Sequence, residues 1–184
     1  MRPPLLTSAR LTLDAFTEDD TDAVLAHVDD EELQRYVPVP VPYTRTDAEH
    51  YTGPYMEMAE PNPGIAVWAV RLDGQLAGAL ELRMAELYDG DIGFWVGRPF
   101  RGQGVMTEAV GLVVDHAFGP LGLHRVSWES VVGNVGSARV AQRNGFTFEG
   151  LRRLGLQHRD ERVDSWVASL LRGDPRRPTD GWPV

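Results

Sequence analysis

The chain has 184 residues, no cysteine, and 27 acidic against 18 basic residues, a formal net charge of -9. That length suits one domain able to bury its own core, and the missing thiol excludes a cysteine nucleophile, a zinc-cysteine site and a disulfide framework together. The acidic balance argues against nonspecific binding to nucleic acid or an anionic membrane; it either suits a cationic partner or only keeps the protein soluble.

Met1-Arg2-Pro3-Pro4-Leu5-Leu6 has a charge but no apolar run behind it, so the expectation is no signal peptide, no membrane span and a cytoplasmic protein. Leu11 to Phe16 alternates as a first strand. Thr17-Glu18-Asp19-Asp20 follows as a helix start capped by Thr17, with the helix running to His27 or Val28. Asp30 to Val37 reads as a short helical turn. Val37-Pro38-Val39-Pro40-Val41-Pro42-Tyr43 is extended, either a connector or one wall of a cleft. Thr46-Asp47-Ala48-Glu49 has capping-box spacing and predicts a helix to Met58 or Ala59, ended by Pro61-Asn62-Pro63-Gly64. Ile65 to Arg71 and Gln75 to Met84 flank Asp73-Gly74, a strong hairpin signal. A break at Tyr88-Asp89-Gly90 precedes the strand Asp91 to Val96.

That strand leads through Arg98, Arg101, Gly102 and Gly104 into a helix whose apolar stripe is Val105, Met106, Ala109, Val110, Val113, Val114, Ala117 and Phe118. Gly119-Pro120 ends it. A strand feeding a helix through such a turn leaves unpaired N–H groups at the helix N-terminus, where the dipole also favours anions. The junction reads as a phosphate cradle, although for a lone Gly-x-Gly a plain tight turn explains the pattern as well. No Lys-Ser/Thr pair follows the second glycine, and Thr107 stands where a dinucleotide turn needs its third glycine, so neither of those sites is expected. Arg125 to Val132 is the next strand. Asn134 can cap a short helix that Asn144-Gly145 ends, and Phe146 to Leu156 and Val163 to Leu171 are a last pair of strands. The expected organisation is one domain over residues 1–172 and a loose tail over 173–184, in which Trp182 is the one residue placed to dock.

Taken together, Ile92 to Val96, Arg101-Gly102-Gln103-Gly104, Thr107-Glu108-Ala109, Leu123-His124-Arg125-Val126, Asn134-x-x-Ser137 and Asn144-Gly145-Phe146 resemble the GNAT superfamily of acyl-CoA-dependent N-acyltransferases. The resemblance spans Leu11 to Leu171 and is closest to the branch of ribosomal-protein N-terminal acetyltransferases. It implies an α/β (α+β) fold with a mixed, mostly antiparallel sheet of about six to seven strands and about four flanking helices, splayed beside the central strand. It implies acetyl-CoA as co-substrate. The pantetheine arm would pair near Phe94, Trp95 and Val96, while Arg101 opens the motif and Gly102, Gln103, Gly104, Val105, Met106 and Thr107 hold the pyrophosphate. Met106 departs from the family's small last residue, and its side chain could crowd the phosphates.

By the same resemblance, Asn134 contacts the arm or orders its loop, and Ser137 lies near the sulfur, where it assists the departing thiolate or only caps its helix. Val96 N–H is the expected oxyanion donor. Arg139 and Arg143 either reach the 3'-phosphate or form a solvated face, and Arg139 is the one carried forward as a cofactor contact. Members of the branch can carry a catalytic carboxylate after Gly145-Phe146, but this chain has Leu156 at that position. Glu129, Glu81 and Asp91 remain, each either a base or only a structural or solvated group, with a water relay as the other route; Glu129 is the one carried forward, and Glu129→Gln should then lower the maximal rate with little change in acetyl-CoA affinity. His27, His50, His116, His124 and His158 show no metal-ligand spacing. The implied acceptor is a primary amine, foremost a protein N-terminus. The alternatives are a small amine such as an aminoglycoside, polyamine or amino acid, or a non-catalytic acyl-CoA-binding module. Exposed sheet edges allow a monomer or a homodimer.

Overall fold

The alternation of Leu11-Thr12-Leu13-Asp14 makes β2 (Leu11–Asp14), which buries both leucines and pairs antiparallel with a two-residue strand, β1 (Leu6–Thr7). This computed structural model describes residues 2–86 and 88–184; Met1, at the head of the stretch read for a leader, lies outside them. After β2, Thr17 opens a 3-10 turn over Glu18–Asp20 that continues as α1 (Thr21–Val28), in line with the predicted start.

Asp20 anchors that junction. Its carboxylate accepts from Thr17 N–H at 2.9 Å and from Arg71 Nη1 and Nη2 at 2.7 and 3.0 Å. Burial opposes the charge, but the Arg71 and Thr17 hydrogen bonds and the guanidinium charge outweigh it and hold the carboxyl below its ordinary 3.8. The folded group therefore titrates lower than the unfolded one. Its contribution is present above the unfolded value and is lost as pH falls through the folded value. Asp20→Asn should remove that acid dependence and cost on the order of 3 kcal/mol at neutral pH, read from the urea midpoint.

Asp30 caps α2 (Glu31–Tyr36) by accepting from Leu33 N–H at 2.9 Å. The next helix, α3 (Arg45–His50), starts two residues earlier than its sequence suggests. Its capping box is Thr44 with Asp47, not Thr46 with Glu49, because Thr44 holds the extended conformation a cap requires and Thr46 is already helical. A widened turn over Tyr51–Tyr55 accommodates Pro54, which has no N–H to give the ladder, and leads into α4 (Met56–Ala59).

β3 (Ile65–Leu72) and β4 (Gln75–Glu86) form the predicted hairpin, with positive φ at Asp73 (49°) and Gly74 (80°) as a two-residue turn of that kind needs. β5 (Asp89–Val96) begins two residues before its expected start. Then come α5 (Val105–Phe118), β6 (Arg125–Val131), α6 (Val135–Arg143), β7 (Thr147–His158) and β8 (Glu161–Leu171).

The strands form one sheet in the order β1-β2-β3-β4-β5-β6-β8-β7. Every neighbouring pair is antiparallel except β5 with β6. Among the described residues, eight strands exceed the expected six to seven because β1 is too short to register a period. Five helical units among the described residues, counting α3 to α4 as one, replace the expected four. One sheet face, with Trp68, Leu80, Ile92, Val126 and Trp128, packs on α5 and α6; the other, with Val67, Ala69 and Ala79, packs on the helices from α1 to α4. Residues 173–184 carry no helix or strand, yet Trp182 rests against Trp128 and Phe148 with ring centroids 5.5 and 5.4 Å away. The Thr179 hydroxyl donates to Phe146 O.

Candidate functional site

The parallel pair at the centre of the sheet is only partly closed. β5 and β6 are in register from Asp89–Arg125 to Ile92–Trp128 and part beyond that point. Gly97 N–H bonds Ala77 O on β4, so ladder alternation turns the N–H groups of Trp95 and Gly93 toward β4 and those of Phe94 and Val96 toward the gap. The expected splay is present, and it frees strand donors on its own edge.

The glycine turn stands at the mouth of this fork. Gly102 and Gly104 both hold left-handed backbone, with φ of 75° and 74°, which aims the turn's amides outward at the start of α5. The first intrahelical bond runs from Glu108 N–H to Gly104 O, so the N–H groups of Val105, Met106 and Thr107 have no partner within the helix. Arg10 secures the turn from outside, pairing with Glu108 at 2.7 Å and donating to Gln103 O at 3.1 Å. Burial would raise Glu108, but the Ser8 and Arg10 hydrogen bonds and the Arg10 charge hold its carboxyl below its usual range. Arg10 thereby neutralises a carboxylate that would otherwise repel an anion at the helix start.

Between the fork, α2 and α6 lies a cleft of about 420 Å³. Of the residues expected to bind cofactor, Phe94, Trp95, Val96, Arg101, Gly102, Gly104, Val105, Met106, Thr107, Asn134 and Arg139 line it, as does Ser137. Gln103 does not. Its side-chain amide is turned back to donate to Pro99 O at 2.7 Å. The Met106 side chain is only 3% exposed and belongs to the core, so the motif's departure there does not crowd the turn. Arg101 commits its guanidinium to Glu32 (2.7 Å) and Asp30 (3.1 Å), which clips α2 onto the turn. Arg139 and Arg143 both face the cleft and have no ion-pair partner among the described residues.

Asn134 orders its loop with both ends of its amide. Oδ1 accepts from Ser137 N–H at 3.2 Å and Nδ2 donates to Ser130 Oγ at 3.0 Å. Ser137 Oγ in turn accepts from Trp128 Nε1 at 2.9 Å.

The carboxylates lie elsewhere. Strand alternation puts Glu129 opposite Trp128, on the sheet face away from α5 and α6, and it does not line the cleft. It is paired with Arg152 at 2.8 Å and accepts from the Ser165 hydroxyl. Glu81 accepts from Tyr55 at 3.0 Å and from Arg83 at 3.3 Å, while Arg83 gives its stronger contacts to Asp91. Glu81 is registered with Gly93, the first β5 residue past the parting, and Glu129 is the first on β6. The two therefore flank a position without a side chain, where β5 and β6 part, and the Arg83 guanidinium lies over it, 3.5 Å from where a Gly93 Cβ would stand.

The wall supplied by α2 was outside the sequence reading. Glu32, Leu33 and Tyr36 line the cleft, and Tyr36 donates across it to Gly133 O at 3.1 Å. One tyrosine at the end of a six-residue helix gives no signal of such a role. Among the described residues no group of three ligating side chains could hold a metal, and no helix is long and apolar enough to cross a membrane.

Residues 10–147 match the family described as "Acetyltransferase (GNAT) domain". Over 105 residues the chain is 36% identical to "Probable N-acetyltransferase YjcK" of Bacillus subtilis (strain 168), covering 55% of this chain and 58% of that one. It is 35% identical over 102 residues to "Putative ribosomal N-acetyltransferase YdaF" of the same organism, covering 54% and 56%. The chain thus spans little more than half the length of these two relatives. The structure superposes on Mycobacterium smegmatis RimJ in complex with CoA-disulfide with a TM-score of 0.80 at 22% identity, over 92% of this chain and 88% of that one, a likeness of fold.

Proposed function

The chain belongs to the GNAT acetyltransferase family, and from that membership and its forked sheet we propose that it is an acetyl-CoA-dependent N-acetyltransferase acting on a primary amine. One observation carries the reading: the free strand donors of β5 and the open N-terminus of α5 meet in a single cleft. Coenzyme A needs that combination. Its diphosphate suits the amides from Gly102 to Thr107, its pantetheine amides suit the β5 edge, and its 3'-phosphate suits Arg139, with Arg143 beside it.

When bound, acetyl-CoA supplies an activated acyl carbon and a sulfur leaving group. Direct attack by an amine then needs no protein nucleophile, only placement and proton transfer. Phe94 N–H lies two residues nearer the parting point than Val96 N–H. The thioester is the end of the arm remote from the diphosphate, so Phe94 is assigned the acyl oxygen and Val96 the arm. As the C–N bond forms and the C–S bond breaks, one proton leaves the amine for a carboxylate, and the Ser137 hydroxyl hydrogen-bonds the sulfur.

The amine is assigned the approach beside Gly93, from the face that carries Glu81 and Glu129, where it takes the place of the Arg83 guanidinium that lies over that glycine. We assign the base to Glu81. Glu129 is neutralised by its own Arg152 at 2.8 Å, whereas the cation near Glu81 is 3.3 Å away and largely spent on Asp91. The acceptor is proposed to be a protein N-terminus, supported by the likeness to the putative ribosomal N-acetyltransferase YdaF, while the acidic balance suits any cationic amine. Thiol release should be followed with acetyl-CoA and, in parallel, N-terminal ribosomal-protein peptides, polyamines, aminoglycosides and amino acids. Turnover confined to peptides supports this acceptor. Turnover confined to small amines replaces it, and none with any amine favours a binding module.

A further inference from the structure

We infer that Trp128 is a positioning residue for Ser137: its indole N–H fixes the polarity of the serine hydroxyl so that the proton points into the cleft, and the C-terminal segment braces the indole. The inference rests on the reading of Ser137 as the group that hydrogen-bonds the sulfur. An indole N–H can only donate, so at 2.9 Å the serine oxygen must accept. That leaves the hydroxyl hydrogen in need of an acceptor.

Among the described residues no local acceptor stands in hydrogen-bonding geometry to receive the Ser137 hydroxyl, whose oxygen acts only as an acceptor. A serine in the first turn of a helix ordinarily turns its hydroxyl back to a carbonyl four residues earlier or to the capping side chain. Here Asn134 Oδ1 accepts from Ser137 N–H. Gly133 O, the carbonyl four residues back, accepts both from Val135 N–H at 2.8 Å and from the Tyr36 hydroxyl at 3.1 Å, which fills its two lone pairs. The remaining direction for the Ser137 proton is the cleft that Ser137 lines. Trp128 and Tyr36, from opposite sides, therefore make a donor of a residue that could otherwise be only a cap.

The indole is held in its turn. Trp128 is 1% exposed, and Trp182 lies against it, fixed by its own N–H to Thr179 Oγ1 at 2.9 Å. Thr179 is tied at both ends, its hydroxyl donating to Phe146 O and its carbonyl accepting from Gln142 at 2.9 Å. The segment after β8 thus reaches the site through one ring contact.

The test uses coenzyme A as probe and needs no acceptor. The thiol of bound coenzyme A is titrated by its ultraviolet thiolate absorbance in the wild type, Ser137→Ala, Trp128→Phe and the double variant. The charged groups lining the cleft, Glu32, Arg101, Arg139 and Arg143, are common to all four. Ser137→Ala should raise the thiol pKa by about one unit, the scale of a lost hydrogen bond to a charged acceptor. Trp128→Phe, which keeps the ring and loses the donor, should raise it by about half as much. The double variant should go no higher than Ser137→Ala alone. Trp182→Ala, which leaves both hydrogen-bonding groups intact, should give a smaller rise in the same direction and serves if Trp128→Phe does not fold. A wild-type thiol pKa in Trp128→Phe and Trp182→Ala, or additive shifts in the double variant, overturns the positioning role while leaving Ser137 in place. An unshifted thiol in Ser137→Ala removes the serine and this inference together. Failure of coenzyme A to bind overturns the cofactor reading itself.

Discussion

Gly102→Asp is expected to weaken acetyl-CoA binding by about a hundredfold, whereas Gly102→Asn weakens it by no more than a few-fold. The residue has φ of 75°, and a Cβ built there meets nothing within 4 Å, so space does not oppose either side chain. Asp and Asn also tolerate left-handed backbone better than other non-glycine residues. The two variants share shape and strain and differ by one charge beside the proposed diphosphate. Two unit charges about 5 Å apart at an effective dielectric constant near 20 interact by about 3 kcal/mol, which is about a hundredfold in affinity. Isothermal titration of both variants gives the ratio directly. Equal affinities for the aspartate and asparagine variants would mean that no anion lies on this turn.

Glu81→Gln is expected to lower kcat by about a hundredfold, with the KM for acetyl-CoA little changed, because general-base assistance is worth about that much or more. Glu129→Gln serves as the comparison, since its carboxylate is held by Arg152 and Ser165 on the far side of the opening. A loss confined to Glu129→Gln would restore the carboxylate expected from the sequence and move the proton to β6.

The parts of this molecule that could be read from the sequence are those whose cause is local. Asp73-Gly74 sets its own hairpin, and the stripe from Val105 to Phe118 buries all eight of its predicted positions. The two glycines of the turn declare left-handed backbone wherever the chain goes afterwards. The Thr46 cap was misplaced for an equally local reason: two Thr-x-x-acid patterns overlap there, and spacing does not say which threonine is extended.

What escaped the sequence is non-local. The wall built by α2 depends on Arg101 reaching Asp30 and Glu32, about 70 positions away. The relation of Glu81 and Glu129 to the opening depends on β5 and β6 parting after Ile92, a matter of register between distant strands. Ser137 was visible as a residue but not as a donor, because its polarity is set by Trp128 on one side and by the filled Gly133 carbonyl on the other. The contacts of Trp182 likewise arise in a segment whose composition reads as linker.

The central claim is that the fork and the glycine turn together hold coenzyme A. The measurement that meets it most directly is a thermal melt of the purified protein with saturating acetyl-CoA, CoA, ATP or NAD in parallel. A ligand at about 100 times its dissociation constant adds about 2.7 kcal/mol, a shift of a few degrees for a domain of this size. That shift is expected with acetyl-CoA and CoA, and none of that size with ATP or NAD. Unchanged melting with both CoA species would contradict it and leave the glycine turn a structural device.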